Sequence, residues 1–521
     1  MVHISAGTTA GVTRLLPCRN VPTLLRILVG EGTPDSLLNV LAEEQQQHPA
    51  SSHQGRGSSR LPFVRANRVK MVIPDGMLAQ NLHKMHKWTG VEELHVVDFS
   101  PGPEVGTMVV PPNLKRLKLH SFGLLLECLW PASLHRHELV GFDHSIAQVV
   151  WSASLQHLSQ GNHFNQPVVG VWPESIQQLS FGNCFNQSIV GATWPSSLHQ
   201  LSFGKVFNQL IVGVVWPASL EQLTFGDCFN QSIVGVTWPS SLQQLSFGNA
   251  FNQPIVGVVW PASLVKFNLG GWFNQPIVGV VWPASLEQLT FGHFFNQPIV
   301  GVVWPASLLK LDLGRWLDQP IVGVVWSASL TELDLGYAFN QPIAAEVPAT
   351  STQHLSFGEH FNEPIQPVVW PASVRMMDFG RTFNRRIARV VWPASLQQLS
   401  FGYSFNQSIV GVVWPATLQK PSFGYCFNEP IVGVVWPMSL RQLSFGYCFS
   451  KPVAGVMWPA SLQQISFGDR FNQPIVSVVW PSSPLKLNLG REFNQHVAGV
   501  VWPASPQQLK FGSVSNTRSP E

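Results

Sequence analysis

The sequence predicts a repeat solenoid built around one parallel β-sheet. A tryptophan returns every 22 residues between Trp172 and Trp502, and among these slots only the one at Pro348 lacks it. The composition agrees with the copying of one short unit, because charged residues make up 11% of the 521-residue chain and 20 Trp stand against 4 Tyr. A fixed period of roughly 20–29 residues is typical of solenoids, in which each copy buries its apolar face only against its neighbours.

The composition also excludes several classes of protein. A hydrophobic content of 45% argues against a disordered chain, and 42 Gly are too few for collagen. A net charge of +3 is too small to indicate electrostatic binding to nucleic acid or to an anionic membrane surface. The longest apolar runs, such as residues 255–260, are far shorter than the ~20 residues of a membrane-spanning helix. We therefore expect neither nucleic acid nor a membrane as a partner.

The strand of each copy follows from the spacing of its apolar residues. Leu396, Leu399 and Phe401 show the L-x-x-L-x-L spacing of a leucine-rich-repeat strand. Leu399 and Phe401 should point inward, and Ser400 between them should point outward. Gly402 ends the strand, and a glycine recurs in this column of the copies, which indicates a backbone conformation or a close approach that a Cβ would obstruct.

The remainder of the copy predicts turns rather than helices. Phe405 and Ile409 return to the core, and Gly411 and Pro415 set the turns. No window has the apolar period of a helix, because Pro and Gly interrupt every copy. The predicted fold class is thus a leucine-rich-repeat-like solenoid with a parallel β-sheet on the concave face. Its convex face should consist of turns, extended or 3₁₀ segments, with little α-helix outside the N-terminus.

Two constant columns are expected to be structural. We place the Trp column in the core, because some fifteen exposed indoles would form a large apolar patch; the alternative is an exposed stripe for stacking carbohydrate. An Asn column, which begins at Asn186, should hydrogen-bond the backbone of neighbouring turns; the alternative is a row of ligand-binding side chains. The sequons at Asn186, Asn230 and Asn406 fall on this column, which we expect to be buried, so we interpret them as accidental.

The repeat resembles a known family. Phe-Asn-Gln-Pro-Ile at residues 251–255, 273–277 and 295–299, with Ser-Leu-x-x-Leu-x-Phe-Gly before it, is similar to the FNIP repeat, a subclass of leucine-rich repeat. The match covers about residues 130–512. The family's Leu-Pro-x-Ser-Leu opening is here Trp-Pro-Ala-Ser-Leu. The resemblance implies a protein-interaction scaffold. Some similar proteins carry an N-terminal F-box, which residues 16–28 resemble weakly.

The chain divides into three regions on the sequence. Residues 1–90 form an N-terminal region, with helices expected over 21–42 and 76–88 as a cap and a polar linker at about 43–60. Residues 91–512 form the solenoid, and residues 513–521 a disordered tail. Because the N-terminus lacks a secretory signal and six Cys are too few for a disulfide framework, we expect a cytoplasmic protein.

Catalytic motifs are missing from the sequence. It contains no phosphate-binding loop, no H-E-x-x-H and no G-x-S-x-G. The nearest histidine pairs, His83/His86 and His135/His137, lack further ligands and are expected at the surface. We predict no enzyme activity, no metal, no cofactor and no small-molecule substrate. Cys426 and Cys448 share a slot in adjacent copies at a separation compatible with a disulfide, although free thiols are the simpler interpretation.

The candidate site comes from the two residues after the strand glycine, which change in almost every copy. Constant columns suit packing, whereas a freely varying column must face solvent or a partner. Exposed aromatics with a charged rim are typical of protein interfaces, and copies 260–337 are our candidate patch; the alternative is free drift at solvent positions. The charged rim there includes the outward strand residues Lys310 and Glu332. The predicted partner-binding residues are Trp272, Phe294, Trp316, Arg315, Asp312, Asp334, Tyr337, Tyr403, Tyr425 and Tyr447.

Three functions are compatible with this sequence. The first is an intracellular, non-enzymatic scaffold that binds a protein partner through the concave or variable face of the solenoid. The second is an extracellular or surface recognition module for glycan or protein. The third is an F-box-type substrate adaptor of a ubiquitin ligase.

Overall fold

A computed structural model describes residues 2–5, 24–28, 68–73, 89–98, 108–120, 128–168, 172–343, 351–366, 368–481, 483, 485–502 and 506–512. The chain forms two compact units, Met1–Phe251 and Asn252–Glu521. Each contains a parallel β-sheet with one strand per copy. The described connections are turns and extended segments, with neither α-helix nor 3₁₀ helix among them.

The first unit has a parallel sheet in the order β1-β2-β3-β4-β6-β8-β9-β10-β11-β12-β13, and β5 pairs with β7 in a small second sheet. Its strands are β1 (Val2–Ser5), β2 (Leu24–Leu28), β3 (Arg68–Ile73), β4 (Glu93–Asp98), β5 (Met108–Val109), β6 (Arg116–His120), β7 (Cys128–Leu129), β8 (Arg136–Leu139), β9 (His157–Gln160), β10 (Gln178–Ser180), β11 (Gln200–Ser202), β12 (Gln222–Thr224) and β13 (Gln244–Ser246).

The second unit is a parallel sheet in which each strand pairs with the next along the chain. Its strands are β14 (Lys266–Asn268), β15 (Gln288–Thr290), β16 (Lys310–Asp312), β17 (Glu332–Asp334), β18 (His354–Ser356), β19 (Met376–Asp378), β20 (Gln398–Ser400), β21 (Lys420–Ser422), β22 (Gln442–Ser444), β23 (Gln464–Ser466), β24 (Leu485–Asn488) and β25 (Pro506–Lys510).

The N-terminal strands correct one expectation. Residues 24–28 lie where the sequence predicts a helix, yet they form β2, which pairs in parallel with β1 and β3. The Leu-Leu-Arg-Ile-Leu run extends the sheet instead of forming a helical cap, because parallel pairing with both neighbours satisfies its backbone groups. The rest of 21–42, the helix expected over 76–88, the linker at 43–60 and the tail at 513–521 lie outside the described residues.

The core consists of stacked columns in which most copies hold the same side chain. Inward strand residues such as Leu399 and Phe401 are buried, as their alternation predicts. The Trp column is also in the core, where Trp414 and Trp436 are 7% and 6% exposed and their rings stack at 6.3 Å. This confirms the structural interpretation of the Trp column. Strands in a sheet lie about 4.8 Å apart, whereas the Trp rings are spaced more widely. Successive copies therefore fan apart on the Trp side, which makes the sheet the concave side within the unit.

The Asn column is a hydrogen-bonded ladder. Asn274 Oδ1 accepts hydrogen bonds from the backbone N–H of Asn296 at 2.9 Å and from Gln297 Nε2 at 3.1 Å in the next copy. The predicted bond from the Asn side chain to the neighbouring turn is therefore confirmed. The sequon positions are less buried than expected, however, since Asn186 is half-buried and Asn406 is exposed. The side-chain amide lies at the margin of the turn, where it reaches the next copy while one side faces water.

Two glycine columns serve different purposes. A Cβ on Gly424, at the end of β21, would lie closer than 3.0 Å to the carbonyl oxygen of Gly402 in the preceding copy. A Cβ on Gly433 would make only an ordinary contact, 4.0 Å from Val410 Cγ1, but the φ of Gly433 is +87°, which side-chain-bearing residues rarely adopt. Close approach in one column and left-handed backbone in the other account for both constant glycines.

Candidate functional site

At the glycine that follows each strand, the chain turns away from the sheet. The next two residues line the edge formed by the C-terminal ends of the strands. We call Trp272, Phe294 and Trp316 the aromatic edge. They are 59%, 48% and 46% exposed, and the rings of Trp272 and Phe294 meet edge to face at 6.4 Å. Backbone bonds hold this edge in place, because Phe294 N–H donates to Gly271 and Trp316 N–H donates to His293. The three predicted aromatics therefore lie together on the surface.

The four predicted tyrosines lie along the same edge but contact other side chains. Tyr403, Tyr425 and Tyr447 stack face to face, with ring centroids 4.4 and 4.6 Å apart. The guanidinium of Arg381 covers Tyr403 at 4.8 Å, and that of Arg470 lies over Tyr447 at 5.4 Å. We call these five residues the tyrosine stack. Since their flat faces cover each other, the stack ties successive copies together and leaves only ring edges and hydroxyls to solvent.

The fourth tyrosine, Tyr337, belongs to a separate cluster. The guanidinium of Arg315 lies 4.4 Å from its ring centroid, and the His360 ring lies 4.7 Å from it. Arg315 and Tyr337, both predicted as partner-binding residues, therefore contact each other. The structure places them between the aromatic edge and the tyrosine stack.

The concave face of the second unit carries a row of carboxylates. Asp312, Asp334 and Asp378 occupy the same outward position of β16, β17 and β19. Each accepts a hydrogen bond from the glycine N–H two residues later, at 2.8, 2.9 and 3.0 Å. We call these three the carboxylate row. Sequence analysis found the first two, and the third has the same Asp-x-Gly signal at Asp378–Gly380.

The carboxylate row lies in a groove of about 650 Å³ that crosses the strands from β15 to β21. Burial raises the pKa of Asp312 above its usual value, and burial together with the charges of Asp312 and Asp378 raises that of Asp334. The predicted cost of stacking like charges is therefore present. On the same face, Lys310 and Glu332 form an exposed ion pair at 2.8 Å, and Lys420 adds a positive charge at the far end of the groove.

Asp312 connects the row to the aromatic edge. Its strongest charge contact is with His293, the residue immediately before Phe294, and this contact acts to lower the pKa of Asp312 against the effect of burial. Asp312 also lies four residues before Trp316 in the same turn. The carboxylate row and the aromatic edge therefore share the copy that contains Asp312 and Trp316.

Other candidate groups lie apart from this surface. Cys426 and Cys448 are half-buried free thiols, and burial, with Cys448 beside it, raises the pKa of Cys426. His137, expected at the surface, is 1% exposed because it occupies an inward strand position that holds Leu in the neighbouring copies; burial lowers its pKa to about 3. Within the described ranges, no group of three or more His, Cys, Asp or Glu is placed to hold a metal ion.

A surface that the sequence analysis missed lies on the side away from the sheet. The second Val of the Val-Val-Trp runs points to solvent, in most copies between two buried residues, and Val281 is 81% exposed. The alternation of inward and outward residues, applied to this segment as it was to the strand, would have found it. No helix among the described residues is long and apolar enough to cross a membrane.

Comparisons with known proteins agree with this architecture. The FNIP Repeat family model matches residues 185–228, 229–271, 273–315 and 449–491. Among solved structures, the chain is similar to CroV588, a novel circular LRR protein, with 33% sequence identity and a TM-score of 0.67; the match covers 85% of this chain and 72% of CroV588. The fold is therefore a leucine-rich-repeat solenoid, and the chain belongs to the FNIP-repeat family.

Weaker similarities extend to two other structures. An internalin from Listeria monocytogenes has 11% identity and a TM-score of 0.34, with 60% of this chain and 80% of the internalin covered. The Toll–Spatzle complex of Drosophila has 12% identity and a TM-score of 0.44, with 89% and 63% covered. No curated protein matches the chain.

Proposed function

We propose that the protein is a non-enzymatic, cytoplasmic scaffold that binds a protein partner through the aromatic edge and the adjoining concave face of the second unit. Leucine-rich-repeat solenoids generally act as protein-interaction scaffolds. A fold alone does not assign a function, so the proposal is based on the surface itself.

The observation that carries the proposal is the exposure of three large aromatics in one variable column. Packing columns of this chain are nearly constant, whereas the column of the aromatic edge holds Trp272, Phe294 and Trp316 in consecutive copies and small or polar residues in most others. Trp is among the residues most enriched at binding hot spots. A groove lined by charged residues adjoins the edge, which matches the usual arrangement of an aromatic anchor and a polar rim.

The test compares two triple variants of the full chain. In the first, Trp272, Phe294 and Trp316 are changed to Ala; in the control, Val281, Val303 and Val325 are changed to Ala, since these are equally apolar and more exposed on the other side of the same unit. Proteins that co-purify from the native host are identified by mass spectrometry. We expect the first variant to lose a specific partner that the wild type and the control retain.

Unchanged capture by a folded first variant would refute the proposal. Loss of the partner in the control alone would assign binding to the valine surface instead. Circular dichroism of both variants checks that the solenoid is intact.

A further inference from the structure

The aromatic edge leaves about half of each of its three side chains exposed, and the same edge elsewhere in the second unit indicates what covers such rings. Arg315 covers Tyr337, Arg381 covers Tyr403 and Arg470 covers Tyr447, with guanidinium carbons 4.4 to 5.4 Å from the ring centroids. The edge thus positions guanidinium groups against aromatic rings three times within one chain. Trp is the strongest partner for such a cation–π contact, yet no guanidinium covers Trp272 or Trp316 in the described part of the chain.

The charge beside the edge has the sign that a guanidinium needs. Each carboxylate of the row uses one oxygen, Oδ1, to accept the glycine N–H, so Oδ2 can accept a further hydrogen bond. Burial disfavours the ionised form of Asp312, and burial together with the charges of Asp312 and Asp378 disfavours that of Asp334, so both have a raised pKa. A bound cation would relieve this repulsion, because an opposite charge within a few ångströms favours the ionised form.

We propose that the aromatic edge and the carboxylate row bind an arginine-bearing segment of a partner protein. This inference rests on the proposed function, in which the same surface binds a protein, and it specifies the chemistry of that partner. Arginine fits better than lysine, because the planar guanidinium can stack on a ring and direct several N–H donors to a carboxylate at the same time. Asp312 and Trp316 lie four residues apart in one turn, which the bond from Trp316 N–H to the His293 carbonyl ties to the copy of Phe294, so one copy presents both a carboxylate and a ring.

The experiment measures binding of labelled heptapeptides to the full chain by fluorescence anisotropy. The probes alternate Gly with Arg, Lys or citrulline, which has the shape of arginine without its charge. We expect the Arg peptide to bind about fivefold more tightly than the citrulline peptide and at least about twofold more tightly than the Lys peptide. The paired change of Trp272 and Trp316 to Ala should weaken Arg-peptide binding by about tenfold.

Neutral variants of the carboxylate row test its contribution to binding. Changing Asp312 and Asp334 to Asn should weaken Arg-peptide binding by about tenfold and reduce its dependence on salt. The matched control is Glu492→Gln, an exposed carboxylate on the same edge several copies away, which should have no effect. Equal binding of the Arg and citrulline peptides, equal binding of the Arg and Lys peptides, or insensitivity to the Trp or Asp changes would overturn the inference.

The outcome is separable from that of the proposed function. If the aromatic triple variant loses its native partner but the Arg peptide does not bind, the scaffold function stands and the arginine assignment fails. If the Arg peptide binds through Trp272 and Trp316 while partner capture survives the triple variant, the scaffold function fails at this surface.

Discussion

A pair of glycines in one copy offers the sharpest test of how the solenoid is built. Gly424→Ala places a methyl group against the carbonyl of Gly402, whereas Gly433→Ala places it at an ordinary contact distance from Val410, at a φ of +87°. The two variants make the same chemical change nine residues apart. Their effects should differ because one involves a collision between copies and the other only local backbone strain.

The expected magnitudes follow from what each change disturbs. Relief of the collision at Gly424 requires the two copies to separate, which stretches the bonds that hold them together, such as Cys426 N–H to Tyr403 at 2.8 Å and Phe401 N–H to Ser422 at 2.9 Å. Loss of three or four such bonds at about 1 kcal/mol each gives roughly 3–4 kcal/mol. Left-handed alanine at Gly433 costs about 1–2 kcal/mol.

The assay is hydrogen exchange with mass spectrometry, because a long repeat array does not unfold in two states and each segment must be measured separately. Gly424→Ala should accelerate exchange in β20–β22 by more than about a hundredfold, and Gly433→Ala by about five- to thirtyfold. Equal effects, or a larger effect at Gly433, would refute the account of close approach between copies.

Three further predictions follow from single contacts. Below pH 6.5 the unfolded chain protonates His137 while the folded chain, with its pKa near 3, does not, so the stability of the first unit should fall by up to about 2 kcal/mol between pH 6.5 and 5; His137→Leu should remove this dependence in hydrogen exchange of β6, β8 and β9. Asn296→Ala removes the acceptor for the N–H of Asp318 and should cost about 1–2 kcal/mol by hydrogen exchange, whereas Asn296→Asp, which reproduces the residue at 318, should cost less. Tyr425→Ala breaks the tyrosine stack and should cost about 1–2 kcal/mol by the same measurement; no change would mean that the stack is not structural.

The repeat geometry could be predicted from the sequence because it depends on local alternation. One copy is enough to predict that Leu399 and Phe401 point inward, that the Trp column is buried and that the strand glycine makes a close approach. Each feature then recurs along the chain because the copies stack in register. The exposed valines were missed because alternation was applied only to the strand. The burial of His137 was missed because a polar side chain at a Leu position contradicts the pattern, and only the pairing with neighbouring strands places it in the core.

The site was partly predictable for a different reason. Variation between copies located the aromatic edge, since a variable column lies at the surface. It could not separate the exposed rings of Trp272 and Trp316 from the stacked rings of Tyr403 and Tyr425, because stacking depends on which neighbours meet in three dimensions. Asp378 was missed because the search followed the variable column, and the two variable residues of its copy, Arg381 and Thr382, include no aromatic.

The central claim is that the aromatic edge contacts a partner. Site-specific photocrosslinking tests it most directly, with a benzoylphenylalanine in place of Phe294 and, separately, in place of the exposed Val281 on the other side of the unit. We expect a discrete crosslinked protein from position 294 and none from position 281 in the native host. Crosslinking from position 281 alone, or from neither position in a folded protein, would contradict the account.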